Sequence, residues 1–312
     1  MHAVKPRVFA SRRFPARVRE ELERSFQLDL HDSEWPLERE ELLRRAVGCD
    51  GLMLMLTDRV DDELLDTAGP QLQIVANYAV GVNNVDLDAC RRRGVLVSNT
   101  PDVLTETTAE LTIAVILSLL RRVTEGDRLI RRGEDWIWAP NLMLGRGLGG
   151  LTLGLVGHGR IGQAVERLAF AHGMRVVYSS RGREQPLDTL LSDADVVSLH
   201  LPLTDETHHL IDAAALALMK PTAVLVNTSR GPIVDEAALV EALTKGRIAG
   251  AALDVFEHEP KVHPGLLGLE NVVLVPHLGS ATEETREAMG MLCVKALRAV
   301  LLENRRPENA VA

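Results

Sequence analysis

Along most of the chain, short continuous apolar runs alternate with stretches whose apolar positions recur at helical spacing. Residues 7–10 read as a first strand, and residues 15–26 and 37–47 carry a helical pattern with charge on the opposite face. A buried-strand run covers residues 51–56 and stops at Thr57-Asp58. A short helix over residues 61–67 is closed by Gly69-Pro70. Next come a strand at 72–76, a turn at 78–84, a helix at 86–92 and a strand at 95–98. Strands that alternate with helices in this way build a parallel sheet.

Pro101 marks a boundary, and residues 104–122 then predict a long helix. It is apolar nearly all round, so it should be buried between two bodies or in a subunit interface. Residues 136–145 hold two of the three tryptophans in a turn-rich stretch, and an apolar loop of that kind calls for a covering partner; a homodimer is expected. Further strands are predicted at 151–156, 175–178, 195–200, 223–227, 249–254 and 272–275. Helices are predicted at 213–219 and 235–245. A final helix at 283–302 is long enough to cross back to the first body. The pattern predicts an α/β protein of two doubly wound parallel-sheet domains. A first domain takes residues 1–99 and 285–312, and a second takes 100–284.

Composition narrows the function classes. At 312 residues the chain can bury two cores, and with 3% aromatic residues Leu, Val, Ile and Ala must fill them. A net charge of −9 argues against a nucleic-acid partner, which would need a basic footprint. Cys49, Cys90 and Cys293 lie far apart with no ligand spacing, so they read as ordinary thiols of a reducing compartment and no metal is expected. The N-terminus lacks the apolar segment of a secretory signal, and the longest apolar run, residues 111–120, is too short to span a bilayer. A soluble cytoplasmic protein with no membrane partner is the expectation.

The strand at 151–156 enters the loop Gly157-His158-Gly159-Arg160-Ile161-Gly162, and a helical pattern follows. Gly157 permits the sharp turn, Gly159 lets the backbone approach a pyrophosphate, and Gly162 lets the helix close on the strand. The free N–H groups of the new helix then face the anion. Because the loop sits between a strand and a helix and a second strand follows, it predicts a dinucleotide site. About 20 positions on, where an NAD site carries an acid for the ribose 2′-hydroxyl, this chain has Ser179 and Ser180, followed by Arg181 and Arg183. Hydroxyls and guanidiniums suit a 2′-phosphate, so NADP(H) is the preferred cofactor and NAD(H) the second.

In a doubly wound sheet the ligand crevice lies at the carboxyl ends of the strands. That rule gathers Leu201-Pro202, Thr228-Ser229-Arg230, Asp254 and His277, since each follows a predicted strand. Arg230 has the chemistry to grip a carboxylate and polarise the adjacent carbonyl, and His277 to give its proton to the carbonyl oxygen as hydride arrives at carbon. Glu259 has the chemistry to orient that imidazole. Position alone leaves alternatives open. Arg230 fits a structural ion pair, Glu257 competes with Glu259, and His200, His208, His209 and His258 compete with His277.

These residues stand in segments that resemble the D-isomer-specific 2-hydroxyacid dehydrogenase family over nearly the whole chain. The segments are GHGRIG, VNTSRG at 226–231, DVFEHEP at 254–260 and PHLGS at 276–280. The resemblance implies a flavodoxin-like substrate domain at 1–99 and 285–312, a Rossmann cofactor domain at 100–284 and an active site in the cleft between them, with Arg230, Glu259 and His277 as the catalytic residues. It implies backbone donors for the substrate carboxylate at Val80 and Gly81, and Asp254 as the acid that holds the nicotinamide carboxamide. The cofactor-binding set it implies is Thr108, His158, Gly159, Arg160, Ile161, Ser180, Arg181, Arg183, Leu201, Pro202, Thr207, Thr228, Ser229, Asp254 and Gly279. The substrate-binding set is Leu54, Val80, Gly81, Arg230 and His277.

Within the family, NYAVGVNNVD and SNTPDVLTETTAE most resemble the glyoxylate and hydroxypyruvate reductases. The implied reaction is NAD(P)H-dependent reduction of a short 2-oxo acid, glyoxylate before hydroxypyruvate because Leu142 stands where several hydroxypyruvate-reducing relatives carry tryptophan. Val80 stands where the phosphite-oxidising relatives carry lysine, which counts against that branch. Two features depart from kin: His158 replaces a small apolar residue, and residues 182–191 form a shorter stretch than in many relatives. The competing readings are an NADH-dependent D-lactate- or phosphoglycerate-type dehydrogenase and a dinucleotide-sensing, corepressor-like binding protein.

Overall fold

The computed structural model describes residues 4–180 and 183–312. In chain order the elements begin β1 (Arg7–Ala10), α1 (Ala16–Ser25), β2 (Gln27–Leu30), α2 (Arg39–Ala46), β3 (Gly51–Leu54), α3 (Asp62–Ala68), β4 (Ile74–Asn77), α4 (Leu87–Arg93) and β5 (Leu96–Ser98). There follow α5 (Thr105–Leu120), α6 (Val123–Arg131), β6 (Thr152–Val156), α7 (Arg160–Ala171), β7 (Arg175–Ser180), β8 (Arg183–Glu184) and α8 (Leu187–Asp193). The chain closes with β9 (Val196–Leu199), α9 (Ala213–Leu218), β10 (Val224–Asn227), α10 (Glu236–Thr244), β11 (Gly250–Leu253), α11 (Pro264–Leu267), β12 (Val272–Leu274) and α12 (Glu283–Leu301). Two compact units result, Met1–Leu104 with Thr282–Ala312, and Thr105–Ala281. The sequence pattern had set these divisions at 99/100 and 284/285.

The first unit is a five-stranded parallel sheet in the order β2-β1-β3-β4-β5, the flavodoxin-like order. Strands β3 and β4 are buried at every position, which is why β3 reads as an unbroken apolar run and the polar Asn77 at the end of β4 must find its partners inside the fold. Asp61 and Asp86 cap α3 and α4 by accepting the N–H of Leu64 and Ala89. Helix α12 packs on α1, β3 and β4, which brings the C-terminal part of the chain into this unit. Beyond it, Ala310 bridges antiparallel to Ser98 and covers the open edge of β5.

The second unit holds a seven-stranded sheet in the order β12-β11-β10-β9-β6-β7-β8. It is parallel except for the two-residue β8, which pairs antiparallel with β7. One face carries a core around Leu190, Leu199, Leu225, Leu239 and Leu253, and the other a core around Ile116, Leu155, Val165 and Val226. Helix α5 lies on the second face, packed on α7 and against β10, β11 and β12. Its nearly all-round apolar character therefore serves burial inside this unit, where Leu111, Leu117 and Leu119 join the core.

Five of these elements are not predicted by the sequence pattern: β2, α6, β8, α8 and α11. β2 is a half-exposed edge strand with no apolar run, and α6 buries no residue at all. Among the described residues no helix is long and apolar enough to cross a membrane.

Candidate active site

Strand order reverses between β6 and β9, so the loops leaving these two strands splay apart and open a crevice at their carboxyl ends. The glycine loop fills that place. Gly157 has φ +94°, a conformation that L side chains rarely adopt, and a Cβ there would lie 2.4 Å from the carbonyl oxygen of His200. A Cβ on Gly162 would meet the Gly157 oxygen at 2.6 Å, so α7 closes on the loop only with glycine there. Gly159, the N-cap of α7, faces open space within 4 Å of where its Cβ would be. A backbone left open in front of an α-helix N-terminus fits a pyrophosphate. Gly159 and Arg160 are exposed and Ile161 is half-buried.

His158 turns away from that cradle. Its ring stacks on Tyr178 of β7 with centroids 3.9 Å apart, and its Nε2 lies 2.8 Å from the Glu166 carboxylate on α7. β7 ends at Ser179 and Ser180, where a ribose-selecting residue stands in this fold. The backbone register sets Arg183 opposite Ser180. Arg181 lies outside the described residues, as does the Arg183 side chain.

Across the switch, the segment after β9 is tied down locally. The Thr207 hydroxyl donates to the Pro202 carbonyl (2.8 Å) and accepts from the Thr204 N–H (2.8 Å); Leu201 is half-buried, Pro202 exposed. Thr108 on α5 donates to the Gly279 carbonyl at 3.0 Å, and Thr112 one turn on bonds the Thr228 hydroxyl at 2.9 Å. Thus α5 ties together the loops after β10 and β12.

The loop after β10 presents Arg230. Asn227, 1% exposed at the end of the strand, donates through Nδ2 to the Arg230 carbonyl (2.9 Å). Its Oδ1 accepts from the N–H (3.0 Å) and hydroxyl (2.9 Å) of Ser229. The sequence reading passed over Asn227, although a polar residue closing an apolar strand run was a usable signal. Burial lowers the pKa of the Arg230 guanidinium below the ordinary arginine value, with Glu259 opposing. The two charges are therefore close enough to interact.

Asp254, fully buried after β11, holds the loop after β12. Its carboxylate accepts the N–H groups of Leu278 (2.5 Å) and Gly279 (2.9 Å), and its carbonyl accepts that of His277 (2.9 Å). Burial raises its pKa above the ordinary aspartate value, against those N–H groups and His277. His277 has φ +54°, so this anchoring fixes an uncommon backbone conformation beneath the imidazole. Nδ1 of His277 then lies 2.9 Å from Oε2 of Glu259, whose Oε1 accepts the Phe256 N–H at 3.0 Å. Burial pushes Glu259 up, but the hydrogen bond and charge of His277, the Phe256 N–H and Arg230 outweigh it. Its pKa lies below the ordinary glutamate value.

The competing residues are engaged elsewhere. Glu257 pairs with Nε2 of His209 (2.7 Å) and with the Glu236 N–H (3.3 Å). His200 bonds the Ser198 hydroxyl (2.9 Å), and burial holds its pKa down to about 4. His258 bridges to Lys261. Arg230, Asp254, Glu259 and His277 thus gather within one unit at the carboxyl ends of one sheet.

The remaining expected residues belong to the first unit. Val80 and Gly81 follow β4, in a turn where Asn77 Nδ2 donates to the Gly81 carbonyl (2.9 Å) and Asn99 Nδ2 to that of Val80 (2.8 Å). Leu54 departs from the expectation that it faces substrate. It ends β3 with no exposed surface and packs in the core of the unit, because the strand is buried at every position. The half-exposed residues of that loop are Met55 and Leu56.

A dinucleotide-ready glycine loop and an Arg–Glu–His group on one doubly wound sheet define an oxidoreductase domain. Residues 113–279 match the D-isomer specific 2-hydroxyacid dehydrogenase, NAD binding domain family. A glyoxylate reductase of Thermococcus litoralis is 46% identical over 309 residues, covering 94% of this chain and 93% of that one. A crystal structure from Thermus thermophilus superposes with a TM-score of 0.93 at 47% identity, covering 98% and 100% of the two chains. An NADPH-dependent glyoxylate/hydroxypyruvate reductase from Sinorhizobium meliloti, solved with NADP and malonate, does so at 0.87 and 34%, covering 99% and 97%. The chain belongs to the D-isomer-specific 2-hydroxyacid dehydrogenase family, and within it is similar to the glyoxylate reductases.

Proposed function

We propose that this chain reduces glyoxylate, and less readily hydroxypyruvate, to the 2-hydroxy acid, with NADPH preferred over NADH. The observation that carries this reading is the Glu259–His277 pair at 2.9 Å, with the half-buried Arg230 close enough for its charge to act on Glu259. When bound at the glycine loop, the reduced nicotinamide supplies a hydride to the carbonyl carbon. Gly159 and the N-terminus of α7 would hold its pyrophosphate, and Asp254, Thr108 and Gly279 would serve the nicotinamide end. Ser180, Arg181 and Arg183 take the 2′-phosphate.

Arg230 grips the substrate carboxylate and draws electron density from the adjacent carbonyl. Val80 and Gly81 of the first unit, which serves as the substrate domain, add N–H donors to the same carboxylate. His277, its Nδ1 occupied by Glu259, presents Nε2 and gives its proton to the carbonyl oxygen. Hydride at carbon and proton at oxygen complete the hydroxyl.

The same reading includes a homodimer. Trp136, Ile137, Trp138 and Leu144 are more than half exposed, with Trp138 at 83%, and a second copy would cover them. Analytical ultracentrifugation is expected to give a dimer, and a monomer would remove this part of the proposal.

The reading is tested by following NADPH and NADH oxidation against a panel of 2-oxo acids. Turnover is expected with glyoxylate first and hydroxypyruvate second, and faster with NADPH. Tight NADPH binding without turnover of any panel member would favour a dinucleotide-sensing binding protein instead. A preference for pyruvate or 3-phosphohydroxypyruvate with NADH would favour the other dehydrogenase branches.

A further inference from the structure

Beside the catalytic group lies a second cluster that the reaction does not use. His208 and His209 follow β9, and Glu257 follows β11. One ligand atom from each of the three lies within 4.8 Å of the others. Consecutive residues in extended backbone point to opposite sides, but His209 has φ +49°, and that left-handed turn brings both imidazoles to one side. Their rings stack with centroids 4.1 Å apart, and Nε2 of His209 lies 2.7 Å from Oε1 of Glu257.

The carboxylate is itself oriented from behind. Its Oε2 accepts the Glu236 N–H (3.3 Å), while the Glu257 N–H donates to Oε1 of Glu236 (2.7 Å). The His209 backbone is fixed by its N–H to the Pro232 carbonyl (2.8 Å). Oriented ligands with such outer partners are what metal sites require. Two imidazoles and one carboxylate, with a fourth position open to water, are a donor set suited to zinc.

We propose that His208, His209 and Glu257 form a binding site for a divalent transition-metal ion of the zinc class, tying the loop after β9 to the loop after β11. Binding replaces the direct His209–Glu257 hydrogen bond by two metal–ligand bonds. Glu257 lies two residues before Glu259, so the ion would stiffen the segment that carries the catalytic carboxylate.

The test is isothermal titration of the chelator-treated full-length protein with zinc chloride, without nucleotide. Saturation at one equivalent per chain is expected. His208→Ala should weaken binding by about tenfold or more while leaving metal-free activity unchanged, since His208 is exposed. Glu257→Gln should weaken it as well. X-ray absorption of the zinc-loaded protein should show two imidazole nitrogens with oxygen donors. Absence of saturable binding, binding unchanged in His208→Ala, or a sulfur-ligated zinc would overturn the proposal.

Discussion

Oε2 of Glu259 stands 2.9 Å from Nδ1 of His277 while Oε1 is held by the Phe256 N–H at 3.0 Å, so the carboxylate is fixed at both oxygens. Against its burial, the hydrogen bond and charge of His277, the Phe256 N–H and Arg230 hold the Glu259 pKa below the ordinary glutamate value, so the carboxylate keeps its charge down to acid pH. In Glu259→Gln the side chain keeps its shape and loses its charge. Turnover in reduction is expected to fall by about tenfold or more, with NADPH affinity unchanged. A variant that reduces at the wild-type rate would show that the charge of Glu259 is not needed.

Gly231 sets the approach of the Arg230 loop to the Glu259 loop. A Cβ on it would lie 1.9 Å from both the carbonyl carbon and oxygen of Phe256, backbone atoms that cannot turn aside. Gly231→Ala should therefore separate Arg230 from Glu259, costing about 2 kcal/mol or more of stability and most of the turnover. Urea unfolding together with initial rates checks this; a variant with unchanged midpoint and unchanged rate would contradict the account.

Arg181→Ala tests the cofactor preference. The loss of a charge-assisted hydrogen bond to the 2′-phosphate should weaken NADPH binding by about 1.5 to 3 kcal/mol and leave NADH kinetics nearly unchanged. Fluorescence titration with both nucleotides measures it. Equal losses for the two would mean that Arg181 does not read the phosphate.

Much of this was legible in the sequence for a physical reason. Strands buried on both faces, such as β3 with its GLML, tend to be apolar throughout, and a glycine loop between strand and helix leaves few other readings. Edge and surface elements carry no such constraint, and β2 and α6 were missed accordingly. At the site, residue types at strand ends give the candidates, and the choice of Glu259 over Glu257 as the partner of His277 rests on the family resemblance. Glu257 and Glu259 are equivalent as sequence; only the folded chain turns one toward His209 and the other toward His277. Leu54 shows the opposite limit: the resemblance implies a substrate contact there, whereas the folded strand leaves its side chain no exposed surface.

The central claim is that His277 delivers the proton in reduction of a 2-oxo acid, and glyoxylate-dependent NADPH oxidation by the wild type and His277→Ala tests it most directly. The account predicts steady turnover in the wild type and a loss of about a hundredfold or more in the variant, with NADPH affinity unchanged. Glyoxylate reduction at the wild-type rate without that imidazole would contradict it.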